Sequence, residues 1–440
     1  MSESLSFLIN GSYSFVSFVV ALSIIVFIHE FGHYIVGRWC GIKAEVFSIG
    51  FGPVLFSKND KHGTKWQIAL LPLGGFVKFL KEEALSIRDY EKNGNLYNKK
   101  GSFEEASVLS RTLTVLAGPF ANFILTFLIL VFFILVNGVS SDKLQINKII
   151  DYPFETQTLR ANDKIISING YPVTDLKSFY ELSSDATLNN EVRYGVERNG
   201  SVKNVVGPHP FPPIIGSVSL RSAASESGLK KGDFILKVNE LEIFSFLQLQ
   251  SIVIDAEKFP LRLKIWRDGN LFDISVTPKL VDYPESDGSF IKRRLIGISG
   301  GTLFEFNKED PSLFQASRIA IHQIISIITG SLNGIKNILL GAISTCNLQG
   351  PIGIASTAGE AAQQGISSFV WLIAILSTAI GMLNLFPIPM LDGGHLLFFG
   401  LEAITKKKPS DNLVRGFSLI GLFILMLLML TAISSDLFCP

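Results

Sequence analysis

The chain has 440 residues, of which 48% are hydrophobic and only 18% charged, and its mean hydropathy is +0.38. That is too apolar for a soluble protein of this size and places it in a membrane. A formal charge of +1 with no long basic tract argues against nucleic acid as a partner, and Cys40, Cys346 and Cys439 are too far apart to suggest a ligand pair or a disulfide framework.

About 20 apolar residues cross the hydrocarbon, and four uncharged stretches are long enough: Ser4 to Ile28, Thr112 to Ser141, Ala361 to Leu391 and Gly416 to Ser435. The first has no Lys or Arg before it and no small-residue cleavage site after it, so it reads as a retained anchor. It runs into Phe27-Ile28-His29-Glu30-Phe31-Gly32-His33-Tyr34. On a helix, His29 and His33 share a face one turn apart and can reach one metal ion, with Glu30 beside a metal-bound water. Two histidines and a glutamate at membrane depth are expensive, which favours a functional reading over satisfied interior side chains.

After this anchor, Trp66 to Leu71 and Phe76 to Phe79 flank Pro72-Leu73-Gly74-Gly75 and read as an apolar β-hairpin dipping into the membrane beside the site. Lys81 to Lys100 is charged and reads as a cytoplasmic loop. The second span holds Gly118-Pro119-Phe120-Ala121-Asn122, a pattern that permits close helix approach, with packing as the default role of Asn122 and substrate contact as the alternative.

Between Lys143 and Leu280 the composition shifts to alternating β-type runs with Gly/Asp turns, and a pattern repeats after about 70 residues: Asn162 to Gly170 is echoed by Gly232 to Glu240. Ser227-Gly228-Leu229-Lys230-Lys231-Gly232-Asp233 resembles the Gly-Leu-x-x-Gly-Asp signature of PDZ domains, and Leu159 to Asp163 matches it more weakly. PDZ folds take extended peptides along a strand and helix groove. Ser312 to Leu340 has apolar helical periodicity but carries His322, Gln323 and Asn333, and reads as an amphipathic helix on the outer membrane surface.

In the run from Ala361, Pro387 and Pro389 cannot continue an ordinary helix, so the backbone opens and Asp392 emerges into a cavity. A carboxylate there completes a His, His, Asp set with an open fourth position. His395, three residues on, is a chemically acceptable rival, but Asp392 directly follows the opened segment. For the two motifs to meet, their helices must run parallel, so an odd number of crossings separates them. Lys and Arg are concentrated between Arg38 and Arg111 and between Lys406 and Arg415, which puts those loops in the cytoplasm and both termini outside.

These residues resemble the site-2 intramembrane metalloproteases, specifically the bacterial regulator-of-sigma-E protease type with two PDZ domains. The resemblance rests on His29 to His33, Gly118-Pro119 with Asn122, the PDZ pair, Gly350 to Ile354, and the pattern Asn-x-x-Pro-x-Pro-x-Leu-Asp-Gly from Asn384 to Gly393. It implies Zn2+ on His29, His33 and Asp392, Glu30 as catalytic base, and Asn384, Pro387 and Pro389 as substrate-positioning residues. It further implies cleavage within transmembrane segments of single-span proteins, such as an anti-sigma factor or remnant signal peptides, after an upstream site-1-type protease has cut outside. The setting implied is a bacterial inner membrane, with the PDZ pair periplasmic and the zinc site toward the cytoplasm.

The expected fold is a multi-pass α-helical membrane protein with four transmembrane helices, an inserted tandem of PDZ-like α+β domains and a membrane-associated β-hairpin. Its segments are 1–37, first helix with the zinc motif; 38–111, cytoplasmic loop and hairpin; 112–141, second helix; 142–210 and 211–283, PDZ-like domains; 284–360, connector and external helix; 361–400, third helix with the Asp motif; 401–415, cytoplasmic loop; and 416–440, last helix and tail. Two other functions compete: an inactive scaffold binding peptides through its PDZ domains, and a zinc transporter. An intact Glu30 argues against the first, and the PDZ pair against the second.

Overall fold

The computed structural model describes residues 2–80, 101–153, 158–183, 191–285 and 290–438. The charged stretch read as a cytoplasmic loop, 81–100, lies outside them. The chain forms two compact units, one of Met1–Phe133 with Leu313–Pro440 and one of Ile134–Ser312.

The first unit begins with helix α1 (Ser2–Trp39), whose run from Val16 to Ile28 is apolar apart from Ser17 and Ser23 before the polar His29, Glu30 and His33. It ends where Gly41 adopts φ +79°, a conformation that glycine accepts without a Cβ penalty. Strands β1 (Ala44–Asn59) and β2 (Lys65–Phe79) follow, then helix α2 (Val108–Asn137). The runs expected to pair as a hairpin belong to the single strand β2 and do not pair with each other. Instead they flank β1: residues 46–49 face 75–78 in descending register and 65–68 in ascending register, while 56–59 pair with 65–68. Gly75 makes this crossing possible, because a Cβ there would press on the Ser48 carbonyl at 2.7 Å. The result is a small sheet with 75–78 at one edge. At the turn between β1 and β2, burial alone would raise the Asp60 pKa, but bonds from the Tyr34 hydroxyl at 2.6 Å, the Thr64 and His62 amides and the Trp66 indole hold it down to about 2.

The second unit repeats one sheet twice. Strands 164–168, 171–172, 191–198 and 201–208 form a four-stranded sheet whose order recurs in 234–238, 241–242, 261–267 and 270–276. Helices α3 (Leu176–Ser183) and α5 (Phe246–Ile254) occupy equivalent places, with a short turn of helix, α4 (Ala223–Glu226), opening the second copy. Each copy buries one carboxylate completely. Asp163 takes Arg198 Nε and Nη2 at 2.7 Å each and the Arg160 amide at 2.8 Å; Asp233 takes Arg267 at 2.5 and 2.7 Å and the Lys230 amide at 2.8 Å. Burial pushes the Asp163 pKa upward, and the bonds from Arg198 and Arg160 outweigh it, so the net shift is down.

The copies are not simply consecutive. Ile146–Ile149 pairs with Phe304–Phe306, so Leu303, Phe304 and Phe306 complete the first core, and Ile215–Val218 pairs with Ile298–Gly300. The second copy is therefore inserted within the first, and residues 284–312, expected as part of a connector, carry strands. No local signal could show this, because the closing strands are short and their partners lie 80 or more residues away.

The first unit then resumes with α6 (Leu313–Leu339), α7 (Pro351–Gln363), α8 (Ile366–Asn384), α9 (Asp392–Thr405) and α10 (Asp411–Phe438). Four helices among the described residues are long and apolar enough to cross a membrane: Gly11–Trp39 of α1, α2, α8 and α10. The run expected as one span from Ala361 is broken at Gly365, φ +119°, which separates α7 from α8. Helix α7 lies along α1, so closely that a Cβ on Gly359 would strike Ser14. The Asp436 carboxylate accepts the Gly350, Ile352 and Gly353 amides at 3.0 Å each, satisfying the free donors at the start of α7. Cys40 is free, but Cys346 is disulfide-bonded, contrary to the sequence expectation of no disulfide.

Candidate metal centre

On α1 the 3.6-residue period places His29 and His33 on one buried face. Gly118 of α2 lies opposite, where any Cβ would collide with both imidazoles, so glycine is what gives the rings room. His33 Nδ1 is 2.8 Å from the Thr114 carbonyl oxygen. A carbonyl only accepts, so Nδ1 carries the proton and Nε2 keeps its lone pair.

The third group arrives from the other end of the chain. After α8 stops, Pro387 and Pro389 hold the backbone open, Met390 takes φ +88°, and α9 starts at Asp392. Gly393 and Gly394 allow this sharp turn, since a Cβ on either would strike the Leu385, Phe386 or Ile388 carbonyls. Asp392 Oδ2 then lies 3.1 Å from His29 Nε2 and 3.5 Å from His33 Nε2, and the two Nε2 atoms are 3.2 Å apart. Although so close to two nitrogens, Oδ2 is buried without a hydrogen bond. The carboxylate oxygen faces the lone pair of His33 Nε2 in a closed site, a contact that is repulsive until a cation sits among these groups. One ligand atom from each of His29, His33 and Asp392 falls within 4.8 Å of the others, and this nitrogen and oxygen set, with room for a fourth ligand, suits zinc.

These groups open on a cavity of about 730 Å³ that Glu30, Asn384, His395 and the edge residues Gly75 and Val77 also line. The backbone amide of Val77 faces the Glu30 carboxylate. Of the residues singled out in the sequence, His29, Glu30, His33, Asn384 and Asp392 come together here. Pro387 and Pro389 are not among the cavity's lining residues; they shape the break, and Pro389 packs on Gly421 and Gly394. His395 borders the cavity with its ring stacked on Phe399, and it is not part of the three-ligand cluster.

Two supports escaped sequence reading. Arg111 of α2 forms a buried bidentate pair with Glu402 of α9, at 2.7 and 3.1 Å, with its guanidinium over the Phe399 ring, fixing α9 against α2. Also, the Thr114 carbonyl that orients His33 has no signature at all, being backbone. A hint of the first was available: an Arg at the boundary of an apolar run requires a partner.

Known proteins resemble this chain over nearly its whole length. A family model described as Peptidase family M50 matches residues 17–428. The Regulator of sigma E protease of Salmonella typhi is 30% identical over 454 residues, covering 96% of this chain and 97% of that protein. A protein of Agrobacterium fabrum named "Putative zinc metalloprotease Atu1380" is 30% identical over 425 residues, covering 96% of this chain and 94% of its own length.

Proposed function

Because the chain belongs to the M50 family of site-2 metalloproteases, and is accordingly a membrane zinc metalloendopeptidase, we propose that it cleaves a peptide bond within the transmembrane segments of single-span proteins. The observation that carries this reading is the convergence of His29 Nε2, His33 Nε2 and Asp392 Oδ2 at 3.1 to 3.5 Å beside Glu30, on helices of membrane-spanning length. In this reading His29, His33 and Asp392 hold zinc, which when bound supplies Lewis-acid activation of water and of the scissile carbonyl. Glu30 takes the proton of the attacking water on its carboxylate and returns it to the leaving amine. The Val77 amide orients that carboxylate, and Asn384 positions the substrate. Pro387 and Pro389 act indirectly, by keeping the cavity open.

A transmembrane helix hides its carbonyls in hydrogen bonds, so the substrate must unwind to react. The edge of β2 at 75–78 offers backbone groups to an extended segment as an added strand. The substrates we propose are anti-sigma-factor-type proteins or remnant signal peptides, first cut outside by another protease. The repeated sheets are read as a nested PDZ-like pair outside the membrane, with both termini on that side. A cysteine placed at Ser201 should react with an impermeant reagent from outside and one at His62 should not; the opposite pattern would reverse this orientation.

The main test is Glu30→Gln with a tagged single-span substrate in membranes. The variant should retain zinc and bind uncut substrate while turnover falls by roughly 10²- to 10⁴-fold. Cleavage near the wild-type rate would remove Glu30 from the mechanism.

A further inference from the structure

We infer that Asn122 is a positioning residue for His29, whose side-chain carbonyl accepts the Nδ1 proton and so leaves Nε2 free as a ligand. This deepens the proposed ligand set and rests on His29 belonging to it. The Asn122 amide lies 3.3 Å from His29 Nδ1 with its nitrogen toward the ring, while its Oδ1 is buried with no hydrogen-bond partner. Both orientations of a carboxamide have the same shape and differ only in their hydrogen bonding. With the nitrogen toward the ring, Nδ1 must present a lone pair, and the proton of a neutral imidazole then sits on Nε2, pointing at Asp392 and closing the site. With the oxygen toward the ring, Nδ1 carries the proton and Nε2 is free; either orientation leaves one end of the amide without a partner, so what the ring must present to the site decides between them. The second arrangement reproduces what the Thr114 carbonyl does for His33.

Asn122 is also held in place for this role. Its backbone carbonyl accepts Ser377 Oγ at 2.9 Å and Thr126 Oγ1 at 3.2 Å, and Thr378 Oγ1 reaches Thr126 Oγ1 at 3.0 Å. These bonds tie α2 to α8 through the backbone and leave the amide free to serve the histidine. Packing between α2 and α8 accounts for the hydroxyl and carbonyl bonds, but it gives no reason for a polar side chain aimed at an imidazole.

The experiment is zinc competition with a chromophoric chelator on purified full-length protein, for Asn122→Leu, Asn122→Asp and His29→Ala, with the melting temperature of each zinc-free protein as the measure of folding. Asn122→Leu keeps the bulk and loses the acceptor, so zinc should bind about 10- to 100-fold more weakly. Asn122→Asp offers acceptors only and should hold zinc within about threefold of wild type or tighter. Leu retaining wild-type affinity, or Asp binding zinc about 10-fold or more weakly than wild type, would overturn the inference, and the Asp result stands by itself if Leu does not fold. Zinc retained in His29→Ala would instead overturn the ligand set, which keeps the two failures distinct.

Discussion

The two units bury carboxylates in opposite ways. In the strand-rich unit Asp163 and Asp233 are fully buried, and each is saturated by a two-pronged arginine and a backbone amide. In the membrane unit Asp392 is only half-buried, but its Oδ2 atom is buried against two histidine nitrogens and has no hydrogen bond. A satisfied buried charge fixes a loop to a sheet and completes a fold. An unsatisfied one, held by a proline break and two tight glycines, marks a place where a ligand supplies the missing partner. The contrast predicts that substitutions in one unit change stability and leave chemistry intact, and the reverse in the other.

The sharpest way to break this contrast is at the third ligand. Asp392→Asn should lose both zinc and activity, because a neutral amide is a much poorer ligand, whereas His395→Ala should keep zinc with at most a partial loss of rate. Metal analysis of the two purified variants checks this; zinc lost from the His395 variant but kept in the Asp392 variant would exchange their roles.

A smaller effect is expected at the strand edge. Val77→Pro removes the amide that faces Glu30, so cleavage should fall by up to about 10²-fold with zinc content unchanged. Unchanged cleavage would reduce this strand to a scaffold.

In the other unit, Asp163→Asn breaks a buried pair with Arg198, which costs about 3 to 5 kcal/mol of stability. Denaturant unfolding and protease susceptibility of the full chain should register this, while turnover per folded molecule stays at the wild-type level. The same pair sets an acid limit. The folded-state pKa of Asp163 is depressed, so its stabilisation is complete above the unfolded value of about 4 and is lost as pH falls through the folded one. A stability profile that stayed flat below pH ~4 in the wild type, or that differed little from that of the Asn variant, would remove the pair from this role.

Much of this protein was determined locally and is therefore written in its sequence. The spacing of His29 and His33 puts them on one face of any helix, the hydrocarbon thickness selects the four spans, and the proline pair forces the break that frees Asp392. The Asn162 to Gly170 echo at Gly232 to Glu240 likewise marks two copies of one sheet, since strand alternation and turn residues act over a few positions. What only the tertiary structure decided are the long-range closures. Leu303 to Phe306 returns to finish the first copy, and β2 flanks β1 on two sides instead of folding on itself. Helix α7 lies along α1, Cys346 finds a disulfide partner, and Arg111 meets Glu402 across 291 positions. The same holds for the groups that orient the two histidines, Asn122 and the Thr114 carbonyl. Short strands, single ion pairs and backbone carbonyls carry no periodicity, so nothing in the linear order announces them; they are fixed when the helices and strands pack and every buried polar group needs a partner.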